Sequence, residues 1–123
     1  MIRTYLSRQS PARVARFWAA YWVCLFVIMH TPEPEQLHIN VNHLDKFAHF
    51  FLYALLASFC IWHRIRRNLP ATLRWSATWL ALFSAYAAID ELLQPFVHRT
   101  ASIADWLTDV AAVTLVLIAT RHR

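Results

Sequence analysis

At 123 residues the chain holds one domain, 59% of it apolar and 15% charged, against the roughly 25% charged residues of a soluble fold. It contains no glycine, which excludes glycine-rich phosphate loops and dinucleotide fingerprints and argues against a turn-rich β architecture. The net charge of +5 comes from arginines beside apolar runs, so it points to anionic lipid headgroups and not to nucleic acid.

Apolar runs occupy residues 14–29, 47–62, 75–89 and 106–120. Each is slightly shorter than the roughly 20 residues that cross a hydrocarbon core, and flanking residues can extend it. The first run predicts a helix over about 14–30. Its arginine-rich approach looks like the front of a signal peptide, but His30-Thr31-Pro32-Glu33 offers no small-x-small cleavage site, so it reads as an uncleaved anchor. A loop over 31–44 follows. Asn42-His43-Leu44-Asp45 fits a capping box and starts a second helix, about 43–63. Pro70 and Pro95 bracket a third, about 74–94. Ser102-Ile103-Ala104-Asp105 is a second capping box and opens a fourth, about 103–120. With glycine absent, close packing is expected from Ala54 and Ser58 on the second helix and from Ser84 and Ala88 on the third, at small-xxx-small spacing. Cys24 and Cys60 fall inside apolar runs and read as buried small hydrophobes. The predicted fold is all-α: a single-domain polytopic membrane protein, a bundle of four transmembrane helices.

Orientation follows from the basic residues. Arg3, Arg8, Arg13, Arg16, Arg64, Arg66, Arg67, Arg74, Arg121 and Arg123 fall on one side of a four-span model, and only Lys46 and Arg99 on the other. The positive-inside rule then places both termini in the cytoplasm. The acidic residues bear on that arrangement independently. Glu33, Glu35, Asp45, Asp90, Glu91, Asp105 and Asp109 all fall at the outer side. Trp62 and Trp75 flank the cytoplasmic connection as interfacial belt residues.

Polar clusters converge at the outer end. Asp45-Lys46-Phe47-Ala48-His49 enters the second helix, with Asp45 and His49 on one face and Tyr53 a turn further on. Asp90-Glu91-Leu92-Leu93-Gln94 leaves the third, with Asp90 and Gln94 on one face and Glu91 about 100° around. Arg99-Thr100-Ala101-Ser102 leads into Asp105 and Asp109, four residues apart on the fourth. Ionisable groups at membrane depth are costly and face a bundle interior or a wet cavity. Asp90, Glu91, His49 and Asp109 are the deepest. Asp45 and Asp105 can also be read as helix caps, and Lys46 and Arg99 as partners of Glu91 and Asp90. His30, His38, His43 and His98 read as interfacial or loop residues, and Tyr53 as core.

The ordered set Asp45-Lys46-x-x-His49, Asp90-Glu91-x-x-Gln94-x-Phe96, Arg99 and Ser102-x-x-Asp105 resembles the VanZ-like family of small bacterial membrane proteins, over about residues 44–117. That family is named for a member that lowers susceptibility to the glycopeptide antibiotic teicoplanin. The resemblance implies a bacterial cytoplasmic-membrane location and a cell-envelope role that can bear on glycopeptide susceptibility, without implying that this chain confers resistance. The chain departs from the family at His98, where a glycine is common, and at Asp109 and Ala112, where asparagine and glycine are common.

The favoured reading is binding without catalysis. An outward pocket of Asp45, Lys46, His49, Asp90, Glu91, Gln94, Arg99, Ser102 and Asp105 would take an anionic envelope component: a lipid phosphate, a lipid-linked wall precursor or a peptide carboxylate. Membrane lipids are the other partner. No metal or cofactor is assigned, and no nucleophile is evident. An alternative is a metal-assisted hydrolase or transferase on a lipid-linked substrate, with His49, Asp45, Glu91 and Asp90 around a divalent ion. In a third, structural reading the cluster locks the four helices, or two copies of the chain, into register.

Overall fold

A computed structural model describes residues 9–32 and 42–121, the side chains of 42 and 43 excepted. Arg3, Arg8, Glu33, Glu35, His38 and Arg123, and the side chains of Asn42 and His43 with the capping role expected of them, lie outside the described residues. Four α-helices are present among the described residues: α1 (Pro11–Met29), α2 (Asn42–Arg66), α3 (Leu73–Leu93) and α4 (Ile103–Ala119). No strand occurs among the described residues.

The helix ends follow from local chemistry. Ser10 caps α1, its hydroxyl accepting from the Arg13 amide at 3.3 Å. Pro11 takes the first helical position, where a missing N–H costs nothing, so the helix starts ahead of the apolar run. α2 runs past Trp62 to Arg66, with His63, Arg64 and Arg66 in its last turn, where cations complement the helix dipole. It closes in a Schellman-type turn: Asn68 adopts φ 52° and the Leu69 amide reaches back to the Arg64 carbonyl at 3.1 Å. Asparagine does here what glycine usually does. Thr72 caps α3 through the Trp75 amide at 3.1 Å. At the far end of α3, Pro95 cannot donate, and the chain tightens into a 3₁₀ turn, Gln94–Val97. His98 follows at φ 60° and ψ 31°, and this left-handed residue reverses the chain so that Arg99 returns to the bundle. That conformation is the one glycine adopts most cheaply.

α2 packs on α1 and α4, and α3 packs on α4. Aromatic rings close the circle between α1 and α3, with centroids 5.0 Å apart for Trp18–Trp79 and 5.2 Å for Trp22–Tyr86. The interior includes Leu25, Tyr53, Leu56, Phe83 and Val113, with Ala57, Ala87 and Ala112 allowing close helix approach. The expected Ala54/Ser58 contact face is corrected: Ser58 is exposed and its hydroxyl donates to its own helix, to the Ala54 carbonyl at 2.8 Å. Cys24 is also exposed, while Cys60 is buried as expected, and both are free thiols.

Large apolar side chains cover the outside, among them Val23, Phe47, Phe51, Ile89, Leu115 and Ile118. In water such a surface would aggregate, and in lipid it is the required exterior. α1, α2 and the α3 segment through Val97 are long and apolar enough to cross a membrane. α4, at 17 residues, is shorter than these.

Arginines tie one end of the bundle. The Arg64 guanidinium donates to the Thr120 carbonyl at the end of α4 (3.3 Å) and stacks over Trp75, 5.2 Å from the ring centre. Arg66 donates to the Gln9 carbonyl just before α1 (2.7 Å). The bond to Thr120 satisfies a carbonyl that a helix leaves without a partner at its C-terminal end. The start of α1 and the end of α4 therefore share this end, and the polar clusters occupy the other.

Candidate functional site

At the opposite end, the beginnings of α2 and α4, the end of α3 and the loop after it enclose a cavity of about 320 Å³. Asp45, Lys46, Gln94, Arg99, Thr100, Ala101, Ser102 and Asp105 line it. Its volume is at the lower limit of typical small-ligand sites, about 300–1,000 Å³. Two ion pairs span it. The Lys46 ammonium donates to Asp105 Oδ1 at 2.7 Å, and the Arg99 guanidinium donates to Asp45 Oδ1 at 3.1 Å. Arg99 also donates to the Met29 carbonyl at 3.3 Å, so it joins the end of α1 to α2. This corrects the pairing expected from sequence, in which Lys46 and Arg99 met Glu91 and Asp90. Lys46 remains 39% exposed and also forms the rim of an apolar groove of about 330 Å³ lined by Phe47, Phe50, Phe51 and Thr108. A polar cavity and an apolar groove thus share Lys46 in their linings.

The loop is held from below by Glu91. Ser102 caps α4, its hydroxyl accepting from the Asp105 amide at 3.3 Å. In a full capping box the Asp105 carboxylate would return to the Ser102 amide. Here that amide donates to Glu91 Oε2 at 2.7 Å, while Gln94 Nε2 donates to Glu91 Oε1 at 3.0 Å. Glu91, from α3, replaces Asp105 as acceptor, and Asp105 turns to Lys46. One substitution of partners thereby builds both the cavity wall and its ion pair.

Beneath the cavity is a buried layer. His49 Nδ1 sits 3.1 and 3.2 Å from the two Asp109 oxygens and 3.9 Å from Glu91 Oε1. Tyr53 donates its hydroxyl to Asp90 Oδ2 at 3.3 Å. Asp90 Oδ1 lies 3.5 Å from His30 Nδ1, which is itself 2.8 Å from the Phe26 carbonyl.

The sequence-predicted residues therefore divide. Asp45, Lys46, Gln94, Arg99, Ser102 and Asp105 line the cavity, and His49 and Glu91 form the layer below it. Asp90 does not line the cavity and faces Tyr53 and His30 instead. Asp109, which is not among the expected pocket residues, is the partner of His49. Its four-residue spacing from Asp105 was the available signal. Tyr53 is core, as expected, and also a donor; His30 approaches a site carboxylate that its interfacial position did not suggest.

No family model matches the chain, and neither a curated protein nor a solved structure does.

Proposed function

We propose that the cavity receives the anionic headgroup of a membrane lipid or lipid-linked precursor, whose hydrocarbon chain lies in the groove beside Phe47 and Phe51. The observation that supports this most is the position of Lys46 on both surfaces, with Arg99 on the cavity wall. Asp45 and Asp105 each accept from one cation, so the cavity lining carries no excess negative charge to repel an anion. Of the ligands considered, the groove favours a lipid-borne phosphate over a soluble peptide carboxylate.

In this reading all four helices span a bacterial cytoplasmic membrane, both termini lie in the cytoplasm, and the cavity opens outward. α4 extends about 26 Å at 1.5 Å per residue, against a core of about 30 Å, and local thinning accommodates that difference. The ordered motif set resembles the VanZ-like family, and a bearing on glycopeptide susceptibility is part of the proposal. A cysteine at Thr100 is expected to react with an impermeant maleimide in intact cells, and one at Asn68 only after permeabilisation, with Cys24 and Cys60 replaced. The reverse pattern would invert the topology.

The ligand test is thermal stabilisation of the detergent-purified protein by a polyprenyl phosphate. Wild type is expected to show a saturable rise in Tm, and Lys46→Met to need roughly tenfold more ligand, the loss of one charge-assisted hydrogen bond. A neutral polyprenol should give no rise. Equal response of wild type and Lys46→Met would remove the reading, and equal response to a soluble peptide carboxylate would move the ligand off lipid.

A further inference from the structure

The polar residues form two layers with different charge balance. In the upper layer Lys46 pairs with Asp105 and Arg99 with Asp45, one cation to each carboxylate. In the lower layer the carboxylates of Asp90, Glu91 and Asp109 have two imidazoles, His30 and His49, as their nearest basic groups among the described residues. All three carboxylates are buried, and Asp90 Oδ1 accepts no hydrogen bond from the described residues. At membrane depth an anionic excess of this kind is costly.

We propose that His49, Glu91 and Asp109 form a divalent transition-metal site, best suited to Zn²⁺. One atom from each, on α2, α3 and α4, lies within 4.8 Å of the other two. The measured separations from His49 Nδ1 are 3.1 Å to Asp109 Oδ1 and 3.9 Å to Glu91 Oε1. Ligands about 2.0–2.2 Å from a tetrahedral zinc stand about 3.4 Å apart, so small side-chain adjustments close the set. One imidazole with two carboxylates suits Zn²⁺ better than Mg²⁺, which is held by oxygen ligands and keeps its waters.

An imidazolium–carboxylate pair is the competing account of His49. It would bury a full positive charge on the ring, and the Nε2–H, which has no hydrogen-bond partner among the described residues, is left without an acceptor in either account. Metal on Nδ1 keeps the ring neutral and supplies two positive charges to the layer that lacks them. Gln94 already donates to Glu91 Oε1, the kind of outer contact that orients a metal ligand. The other three-residue set, Asp45, His49 and Asp105, is less suited, since Arg99 and Lys46 already neutralise its carboxylates. The cation site stands on the lower layer alone and does not depend on what the cavity above it holds.

The test uses the full chain in detergent, purified without a metal-affinity tag, stripped with chelator and titrated with Zn²⁺ by calorimetry and elemental analysis. One Zn²⁺ per chain is expected. His49→Ala, Glu91→Gln and Asp109→Asn should each weaken binding roughly tenfold or more, whereas Asp45→Asn should change it less than about threefold. Circular dichroism of the stripped proteins identifies variants that fold, and the two isosteric substitutions keep the question open if His49→Ala does not. Absence of stoichiometric binding, binding that survives Glu91→Gln and Asp109→Asn, or preference for Mg²⁺ over Zn²⁺ would overturn the proposal.

Discussion

Replacing Glu91 by alanine is expected to lower stability by about 3–6 kcal/mol and to abolish ligand retention. The side chain accepts from the Ser102 amide at 2.7 Å and from Gln94 at 3.0 Å, and hydrogen bonds to a charged partner contribute about 1.5–3 kcal/mol each. Its loss leaves the Ser102 amide without an acceptor at the entrance to α4 and releases the segment that carries Arg99. Glu91→Gln retains one acceptor oxygen but cannot serve both donors, so about half the effect should remain. Unfolding in mixed micelles, followed by circular dichroism, measures the stability change. Amide exchange at Ser102 reports the loop directly. A stable Glu91→Ala protein with an unchanged Ser102 exchange rate would show that the loop is held by other contacts.

The second large effect is expected between His49 and Asp109. Each single substitution to leucine should destabilise the bundle, because it leaves a buried polar partner behind. The double substitution should cost less than the sum. In metal-free buffer the coupling is expected at about 1.5–3 kcal/mol, as for hydrogen bonds involving a charge. Interhelical hydrogen bonds in membranes average about 0.6 kcal/mol, because the unfolded helices also find partners in lipid. A coupling at or below that average would place His49–Asp109 among ordinary interhelical contacts.

Much of this architecture was legible along the chain. Apolar runs located the helices, and Pro70, Pro95 and Ser102 bracketed α3 and the start of α4, whereas α1 begins three residues before its expected start and α2 runs three residues past its expected end. Ser102 caps α4 as its spacing suggested. The ordered polar motifs also named most of the cavity lining, since residues four apart on a helix share a face. The partnerships between helices were not legible. Periodicity defines a face on one helix, but the rotation of one helix against another decides who meets whom. Lys46 reaches Asp105 instead of Glu91 because the Ser102 amide has already taken Glu91. Asp90, one residue from Glu91, turns toward Tyr53 and His30 and away from the cavity. Ser58 faces outward despite its small-residue spacing, and Ala57, one position away, is buried instead.

The function proposed for this chain is anion binding in a cavity that continues through Lys46 into a lipid groove. Native mass spectrometry of protein extracted from its own membrane tests it most directly. Wild type is predicted to carry a phosphate-bearing lipid adduct that survives delipidation steps which strip zwitterionic lipid, and Lys46→Met, with the same helix content, to lose it. A wild-type protein that emerges bare, or that retains anionic and zwitterionic lipids equally, would contradict the account.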